Sequence, residues 1–357
     1  MRIDGFLWYI DFTHCQMIRK YLEISRLFNM GLTGVAPVLG ALSMWGVDKI
    51  TFFQLFILFC IGCFSHVYGF VINDLVDIKV DKLSKELIAR PLVSGRITRK
   101  KAAYFAVACM IFSFILSTFF FKELVSYFLL ISILILAYIL ATIYDFSSKK
   151  YPGMDVFVAG AIFFLILFGA ATVSIEQLLS NPLIWIVALI GALQVLFMNM
   201  INGAIKDIDH DKKGMANTLA IRLGTKIRGG VITLPRAFKT VGYTVELVRS
   251  FLIFVPFLFL FPFNQIGEIT ILLRIAVLLV FTVITFFSIY KLFSIKTFDR
   301  DCIRKCIGVI VIFMYSTTPI MLSSLNIYII LVAFVPPLWF ISSNLVLHGT
   351  LLEPKTM

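Results

Sequence analysis

Runs of about 20 mostly apolar residues, separated by shorter polar segments, make up most of this sequence. A helix needs a run of about that length to cross the hydrocarbon core of a bilayer. The pattern predicts an all-α fold, a multi-pass transmembrane helical bundle of nine or ten spans. The count is open because Ser323–Asn326 is a short polar break, and because Pro336 and Pro337 interrupt the last run. The runs cover residues 26–46, 50–72, 102–121, 124–143, 155–175, 183–205, 244–263, 269–292, 303–323 and 325–347.

Composition supports a lipid environment. Of the 357 residues, 60% are hydrophobic and 15% are charged, whereas soluble globular proteins are about 45–50% apolar and about 25% charged. A disordered chain, a coiled coil and a small disulfide scaffold are therefore excluded. Cys302 and Cys306 are four residues apart, but no histidine or second cysteine pair completes a zinc site with them.

Positive charges are concentrated in alternate loops. The loops after the second, fourth, sixth and eighth runs hold most of the Lys and Arg residues between the runs, whereas the odd-numbered loops hold only Lys49 and Lys122. Because cytoplasmic loops carry such an excess, the pattern predicts that the N-terminus and the long loops are cytoplasmic, in the cell membrane of a prokaryote. The net charge of +12 then needs no nucleic acid, for which the sequence has no binding motif.

The chain is expected to form one transmembrane domain, residues 26–347. Residues 1–25 are expected to be a cytoplasmic amphipathic lead-in rather than a secretory signal, because the apolar stretch Phe6–Ile10 is too short. Residues 348–357 form a tail. The bilayer is the expected surroundings, and no protein partner is implied.

An acidic cluster, residues 73–81, follows the second apolar run. If the helix continues, Asn73, Asp77 and Asp81 recur every four residues along one face, with Asp74 beside them. Carboxylate and amide oxygens suit Mg²⁺, which commonly binds substrate phosphates with help from one or two carboxylates. The alternative is a solvated helix end with ordinary surface acids.

A second acidic cluster, residues 207–211, follows the sixth run. Asp207 and Asp211 are again four residues apart, whereas Asp209 is expected to point elsewhere. His210 is expected to be a loop residue rather than a metal ligand, and Asn202 could face the same cavity. Both clusters follow even-numbered runs, so they are expected on one side of the bundle.

Two acidic faces on one side of a bundle suggest a paired Mg²⁺ site for a diphosphate. Nearby basic side chains would neutralise the remaining phosphate charge, although each could equally be a determinant of membrane orientation. The candidates are Lys82, Arg90, Lys206 and Arg222.

The two clusters and their flanking residues resemble the UbiA superfamily of intramembrane polyprenyltransferases. Residues 73–81 fit that family's N-D-x-x-D-x-x-x-D motif, and residues 90–95 fit its R-P-L-x-S-G element. Residues 207–211, with Gly214 and then Thr218–Gly224, are similar to its second acidic motif.

Outside these motifs, Tyr144 and Lys149 occupy the place of a Tyr–Lys pair that the family carries after the fourth span. Lys149 follows Tyr144 by five residues, whereas four is more usual. Arg26 and Asn29 open the first span, as in several members.

The resemblance implies transmembrane helices around a central cavity and Mg²⁺ as cofactor. A prenyl diphosphate would lose pyrophosphate through an allylic cation, and the prenyl group would pass to a lipid-soluble acceptor. The implied catalytic residues are Asp77, Asp211, Tyr144 and Lys149. The implied metal ligands are Asn73, Asp74, Asp77, Asp81, Asp207 and Asp211. The implied diphosphate-binding residues are Asn73, Lys82, Arg90, Lys206, Arg222, Arg26 and Asn29.

The acceptor cannot be read from the motifs. An aromatic ring of the quinone-precursor type is the main expectation, because such acceptors are widespread in the family. The alternative is geranylgeranyl transfer to geranylgeranylglyceryl phosphate in ether-lipid synthesis.

Two other classes of protein remain to be weighed. A membrane transporter or channel could also use acids near span ends, but the acids lie on one side, and Arg274 is the one charge well inside a predicted span. A CDP-alcohol phosphotransferase would need a D-G-x-x-A-R run, which the sequence lacks.

Overall fold

The computed structural model describes residues 17–46, 48, 50–82, 87–261 and 268–349. Most of the predicted lead-in, residues 1–16, and most of the predicted tail, residues 350–357, lie outside the described residues. Residues 17–24 are helical. The remaining helices are α1 (Leu27–Leu42), α2 (Phe52–Asp81), α3 (Arg99–Ser117), α4 (Leu124–Ser147), α5 (Asp155–Val173), α6 (Pro182–Phe197), α7 (Ala204–Lys213), α8 (Leu219–Arg222), α9 (Arg236–Phe259), α10 (Glu268–Ser294), α11 (Arg300–Leu322) and α12 (Val335–His348).

The predicted transmembrane bundle is confirmed. Within the described ranges, nine helices are long and apolar enough to cross a membrane. The first predicted span forms only the 16-residue helix α1, which is shorter than these nine. At the end of the chain, a 3₁₀ helix, Ile327–Phe334, leads directly into α12. Pro336 and Pro337 are tolerated because they lie in the first turn of α12, where their missing N–H groups have no intrahelical partner.

Helix α2 is longer than a bilayer requires. Its start is fixed by Thr51, whose side chain and backbone form a capping box with Gln54. Its 30 residues rise about 45 Å, whereas the hydrocarbon core is about 30 Å thick. The last turns, which carry residues 73–81, can therefore extend beyond the lipid without leaving the helix.

Helices α1 and α5 approach each other closely through glycine. A Cβ atom added to Gly40 would lie 1.9 Å from the carbonyl oxygen of Ile166, and one added to Gly169 would lie 1.8 Å from that of Pro37. Small residues of this kind allow helix backbones to pack closely inside membranes. The crossing fixes α1 against α5 in the half of the bundle away from the acidic clusters.

A separate hydrophobic cluster holds the second acidic helix against the C-terminal part of the chain. Ile205 and Ile208 of α7 pack with Phe238 of α9, Leu292 of α10 and Ile303 of α11, and all five are buried. This packing directs the polar face of α7 towards the N-terminal helices.

A short antiparallel hairpin lies between α8 and α9. Strand β1 (Lys226–Arg228) pairs with β2 (Val231–Thr233), and Gly229 and Gly230 supply the positive φ angles that the tight turn requires. The hairpin also bonds to the loop before α11, because the N–H of Phe298 donates to the carbonyl of Gly230 at 2.8 Å.

Candidate active site

The two acidic clusters line one cavity. It has a volume of about 320 Å³, and Asn73, Asp77 and Asp81 of α2 face it together with Asp207 and Asp211 of α7. The prediction that both clusters lie on one side of the bundle is therefore consistent with the structure. The prediction that this side is cytoplasmic stays a prediction.

The first cluster is helical throughout, as its four-residue spacing predicts. Asp77 is 8% exposed and forms no ion pair within the described part of the chain. Asp81 accepts a hydrogen bond from Nη1 of Arg90 at 2.7 Å. Asp77 is thus the carboxylate of this cluster that remains available to a ligand.

Asp74 has a different environment from its neighbours. It is not part of the cavity lining. Instead its Oδ1 accepts hydrogen bonds from Nη2 of Arg26 at 2.5 Å and from Nη1 of Arg90 at 3.4 Å. The sequence assigns Asp74 to the metal, whereas the geometry makes it the anchor of two arginines that do line the cavity.

Arg26 is held in an uncommon backbone conformation. It precedes α1 with φ 46° and ψ 52°, in the left-handed region, which costs free energy for a residue with a Cβ atom. Its guanidinium lies 4.8 Å from the centre of the Phe70 ring and bonds to Asp74. These contacts offset the strain and keep Arg26 at the wall of the cavity beside Asn29.

Lys149 links the two clusters. Its Nζ donates to Oδ1 of Asp211 at 2.6 Å, and Asp77 and Asp207 are also close enough to act on its charge. Burial alone would lower the pKa of Lys149, but the carboxylates of Asp211 and Asp77 outweigh it, so the pKa is raised above its ordinary value. Lys149 is therefore a permanent cation between the two acidic helices.

The second cluster is also helical, so the expectation of a loop at His210 is wrong. His210 is 5% exposed and lies in α7. Its Nε2 is 3.5 Å from Oδ1 of Asp207, whose other oxygen is 3.7 Å from Nζ of Lys206. Asp209 points away from the cavity, as expected, and pairs with Arg300 at 2.5 Å.

Two predicted phosphate ligands are not brought to the cavity. Lys82 and Arg222 are both exposed and are absent from its lining. Their basic character agrees equally well with the orientation signal of the loops. The other predicted residues that line the cavity, besides the acids, are Arg26, Asn29, Asn73, Arg90, Tyr144, Lys149 and Lys206.

Several cavity residues were not singled out from the sequence. Asp145 is 4% exposed, and its Oδ2 has no hydrogen-bond partner within the described ranges. Asp155 opens α5 and faces the same space. Asn199 reaches it from a π-helical turn, Met198–Gly203, directly before α7. Asn202, which the sequence predicts at this cavity, lies in the same turn and also lines it. Helix α4 continues to residue 147, whereas hydropathy ends the fourth span at residue 143. Asp145 therefore lies beyond the predicted span, and hydropathy alone does not show that it is part of the helix.

Comparison with known proteins identifies the class. The model of the UbiA prenyltransferase family matches residues 34–301, so the chain belongs to this family. It is an integral, multi-pass membrane protein and an enzyme, a prenyltransferase.

Similar proteins include the digeranylgeranylglyceryl phosphate synthases of Thermococcus kodakarensis and Sulfolobus acidocaldarius. The first is 30% identical over 214 residues, which are 58% of this chain and 70% of the relative. The second is 29% identical over 217 residues, which are 58% of this chain and 71% of the relative.

Solved structures share the fold. The UbiA homologue from Archaeoglobus fulgidus bound to GPP and Mg²⁺ aligns with a TM-score of 0.59 and 18% identity, covering 85% of this chain and 99% of that one. A structure of digeranylgeranylglyceryl phosphate synthase in membranes aligns with a TM-score of 0.59 and 19% identity, covering 88% and 99%. At these identities the likeness establishes the fold alone.

Proposed function

We propose that the protein transfers a geranylgeranyl group from its diphosphate to geranylgeranylglyceryl phosphate. The observation that carries the proposal is the convergence of Asp77, Lys149 and Asp211 on one cavity in a member of a prenyltransferase family. The acceptor is inferred from the similar proteins, which are named digeranylgeranylglyceryl phosphate synthases. The aromatic acceptor expected from the sequence is not confirmed, and the alternative fits these relatives better.

The donor set fits Mg²⁺ that is shared with a phosphate ligand. In the described ranges, no three His, Cys, Asp or Glu side chains lie together closely enough to hold a metal ion by themselves. Mg²⁺ commonly binds through one or two carboxylates and completes its shell with waters and phosphate oxygens. Asp77 with Asn73 on one wall, and Asp207 with Asp211 on the other, would hold it. When bound, Mg²⁺ would neutralise the negative charge of the departing pyrophosphate.

Basic side chains on the cavity wall would orient the donor's diphosphate. Lys149 lies between the two acidic helices, and Arg26 and Arg90 are fixed in place by Asp74. Cations held in advance at the position where charge develops lower the barrier without reorganising during the step. The bond from C1 of the prenyl group to the diphosphate oxygen breaks. C1 then bonds to the acceptor's hydroxyl oxygen, whose proton passes to the released pyrophosphate.

The apolar part of the cavity would bind the prenyl chain and exclude water from the reacting carbon. Leu32, Phe70, Ala141, Val158 and Leu165 contribute apolar wall from four different helices. Tyr144 lies in the same wall, where its ring can face a developing allylic cation. Water that reached this carbon would hydrolyse the donor instead of allowing transfer.

A direct product assay tests the proposal. The purified protein would be incubated with Mg²⁺, geranylgeranyl diphosphate and either geranylgeranylglyceryl phosphate or a prenyl-accepting hydroxybenzoate, and the extracted lipids would be analysed by mass spectrometry. We expect a digeranylgeranylglyceryl phosphate product and no prenylated aromatic. The reverse result would overturn the acceptor but not the prenyltransferase activity. Product formation that is unchanged by chelation of divalent metal would contradict the Mg²⁺ site.

A further inference from the structure

Arg300 reaches the second acidic motif from a distant part of the chain. It is the first residue of α11, yet its Nη2 donates to Oδ1 of Asp209 at 2.5 Å and to Nδ1 of His210 at 3.1 Å. Its Nε donates to the backbone carbonyl of Lys206 at 3.4 Å. One guanidinium therefore bonds to three positions along α7, a span that a single-point cation could not cover.

The position of Arg300 is unfavourable for α11 taken alone. A cation at a helix N-terminus opposes the helix dipole, which favours negative charge there. Asp299 caps this N-terminus by accepting from the N–H groups of Asp301 and Cys302, and Asp209 supplies a second compensating charge from α7. The contact between Arg300 and α7 thus offsets a cost that arises within α11 itself.

The loop that presents Arg300 is fixed to the β-hairpin. The N–H of Ile232 donates to the carbonyl of Lys296 at 2.8 Å, and the N–H of Phe298 donates to the carbonyl of Gly230 at 2.8 Å. The guanidinium lies 5.6 Å from the centre of the Phe298 ring. The hairpin bonds and the Phe298 ring therefore hold Arg300 in position beside α7.

The contact continues into the cavity through His210. A guanidinium has only donors, so Nδ1 of the imidazole accepts from Arg300 in the tautomer that carries its proton on Nε2, while Nδ1 also lies 3.3 Å from Oδ1 of Asp209. The ring's other nitrogen, Nε2, lies 3.5 Å from Oδ1 of Asp207. Asp207 lines the cavity, whereas Asp209 and Arg300 do not. The path from Arg300 through His210 thus ends on a carboxylate that faces the proposed diphosphate.

We propose that Arg300 is a positioning residue that holds the second acidic motif in the geometry needed to share Mg²⁺ and diphosphate with the first. The inference rests on the proposed function in one respect, which is that the donor's diphosphate binds between the two motifs. It does not depend on the identity of the acceptor. The loop between α10 and α11 then belongs functionally to the active site, although it contributes no ligand.

The test measures binding of the donor without any acceptor. Geranylgeranyl diphosphate would be titrated into the detergent-purified, full-length protein at several Mg²⁺ concentrations, and the heat of binding would be recorded. We expect Arg300→Gln to weaken Mg²⁺-dependent binding by about tenfold or more, as the loss of outer-shell support for metal ligands usually does. Asp209→Asn should act in the same direction. The double variant should bind the donor only slightly more weakly than the worse single variant, because both changes remove the same contact between Arg300 and Asp209.

Conservative and matched variants separate positioning from general stability. Arg300→Lys should give an intermediate affinity, since an ammonium group can pair with Asp209 but cannot reproduce the planar fork. Lys305→Gln, an exposed position on the same helix, should bind the donor as the wild type does. Ile320→Ala removes a buried contact of α11 in the hydrophobic cluster that does not include α7, and it should lower thermal stability while leaving Mg²⁺ dependence unchanged.

Three outcomes would overturn the inference. One is donor affinity of Arg300→Gln within about twofold of wild type at every Mg²⁺ concentration. Another is an equal loss in Ile320→Ala, which would reduce Arg300 to a stabilising contact. If Arg300→Gln does not fold, Asp209→Asn decides, and wild-type affinity in that variant refutes the inference. A wild-type protein that binds no donor at all would instead contradict the proposed function on which the inference rests.

Discussion

Neighbouring carboxylates of one motif have different tasks. Asp77 is buried at the cavity wall without an ion pair in the described structure, whereas Asp74, three residues earlier, is bonded to Arg26 and Arg90. Residues three apart share one side of a helix but are rotated by roughly 60° about its axis, so the partner of each depends on what lies opposite. The first is suited to a ligand, and the second holds the arginines in place.

We expect Asp77→Asn and Asp74→Asn to fail in different ways. Asp77→Asn should abolish turnover with little change in thermal stability, and Asp211→Asn should behave similarly. Asp74→Asn should retain measurable turnover but lose about 3 kcal/mol of stability, because it leaves Arg26 buried without its counter-charge. Turnover and the unfolding midpoint in detergent would be compared. Activity of Asp77→Asn within about tenfold of wild type, roughly 1.4 kcal/mol of barrier, would show that the reaction does not require the Asp77 carboxylate.

At the scale of residues, the sequence predicts which acids line the cavity better than which cations do. Four-residue spacing identifies Asn73, Asp77 and Asp81 because a continuing helix is enough to align them. It cannot show that Asp74 bonds to Arg26, which lies 48 residues away. The roles of basic residues are harder still to predict, because Lys and Arg serve both as phosphate ligands and as determinants of membrane orientation. Lys82 illustrates this, since it is exposed and outside the cavity.

Helix boundaries decide what can be inferred at the scale of elements. Hydropathy starts the seventh span at residue 244, which places Glu246 and Arg249 near its edge. The helix actually begins at Arg236, so both side chains lie in its middle, and both are fully buried. Their bond, 2.6 Å from Nη2 of Arg249 to Oε1 of Glu246, is joined by a bond from Nη1 to Thr317 of α11 at 3.0 Å.

This buried pair should tolerate joint replacement better than single replacement. Arg249→Met alone leaves a buried, unpaired carboxylate and should cost about 3–5 kcal/mol. The double variant Glu246→Leu with Arg249→Met removes both charges and should recover most of that loss. Unfolding in a denaturing-detergent titration would measure both variants. A double variant as unstable as the single one would show that the hydrogen bond to Thr317, not charge balance, dominates.

The whole molecule brings together two segments that are more than a hundred residues apart. When no ligand is present, Asp77, Asp207 and Asp211 repel one another across the cavity, with Lys149 as partial compensation. Bound Mg²⁺ and diphosphate would join the two walls. The stability of each motif should therefore depend on the same ligands.

Limited trypsin digestion can measure this coupling. Lys79, Lys82, Lys212 and Lys213 are exposed beside the two motifs and provide cleavage sites in both. We expect Mg²⁺ with geranylgeranyl diphosphate to protect both segments, and Mg²⁺ alone to protect less, because the ion retains its waters until phosphate completes its shell. Protection of one segment only, or equal protection by Mg²⁺ without diphosphate, would mean that the clusters do not form one site.

Orientation in the membrane can be checked with a native cysteine. Cys302 is exposed and lies two residues from Arg300, at the face that holds the acidic motifs. The charge pattern predicts that this face is cytoplasmic. Cys15 lies in the predicted cytoplasmic lead-in and outside the described residues, so the test uses a Cys15→Ser background. There a membrane-impermeant maleimide should label the protein only after cells are permeabilised, and the further change Cys302→Ser should remove that signal. Labelling of Cys302 in intact cells would reverse the predicted topology.

The glycine crossing of α1 and α5 gives the bundle a pivot. Arg26 at the start of α1 and Asp155 at the start of α5 each lie roughly 20 Å from Gly40 and Gly169 along their helices. With two arms of equal length, a tilt of a few degrees at the pivot becomes a displacement of an ångström or more at the mouth. Misplacement on that scale can change rates a hundredfold. A change in lipid thickness, or a bulkier residue at the crossing, would thus alter catalysis by displacing Arg26 and Asp155, although no substrate contacts the crossing itself.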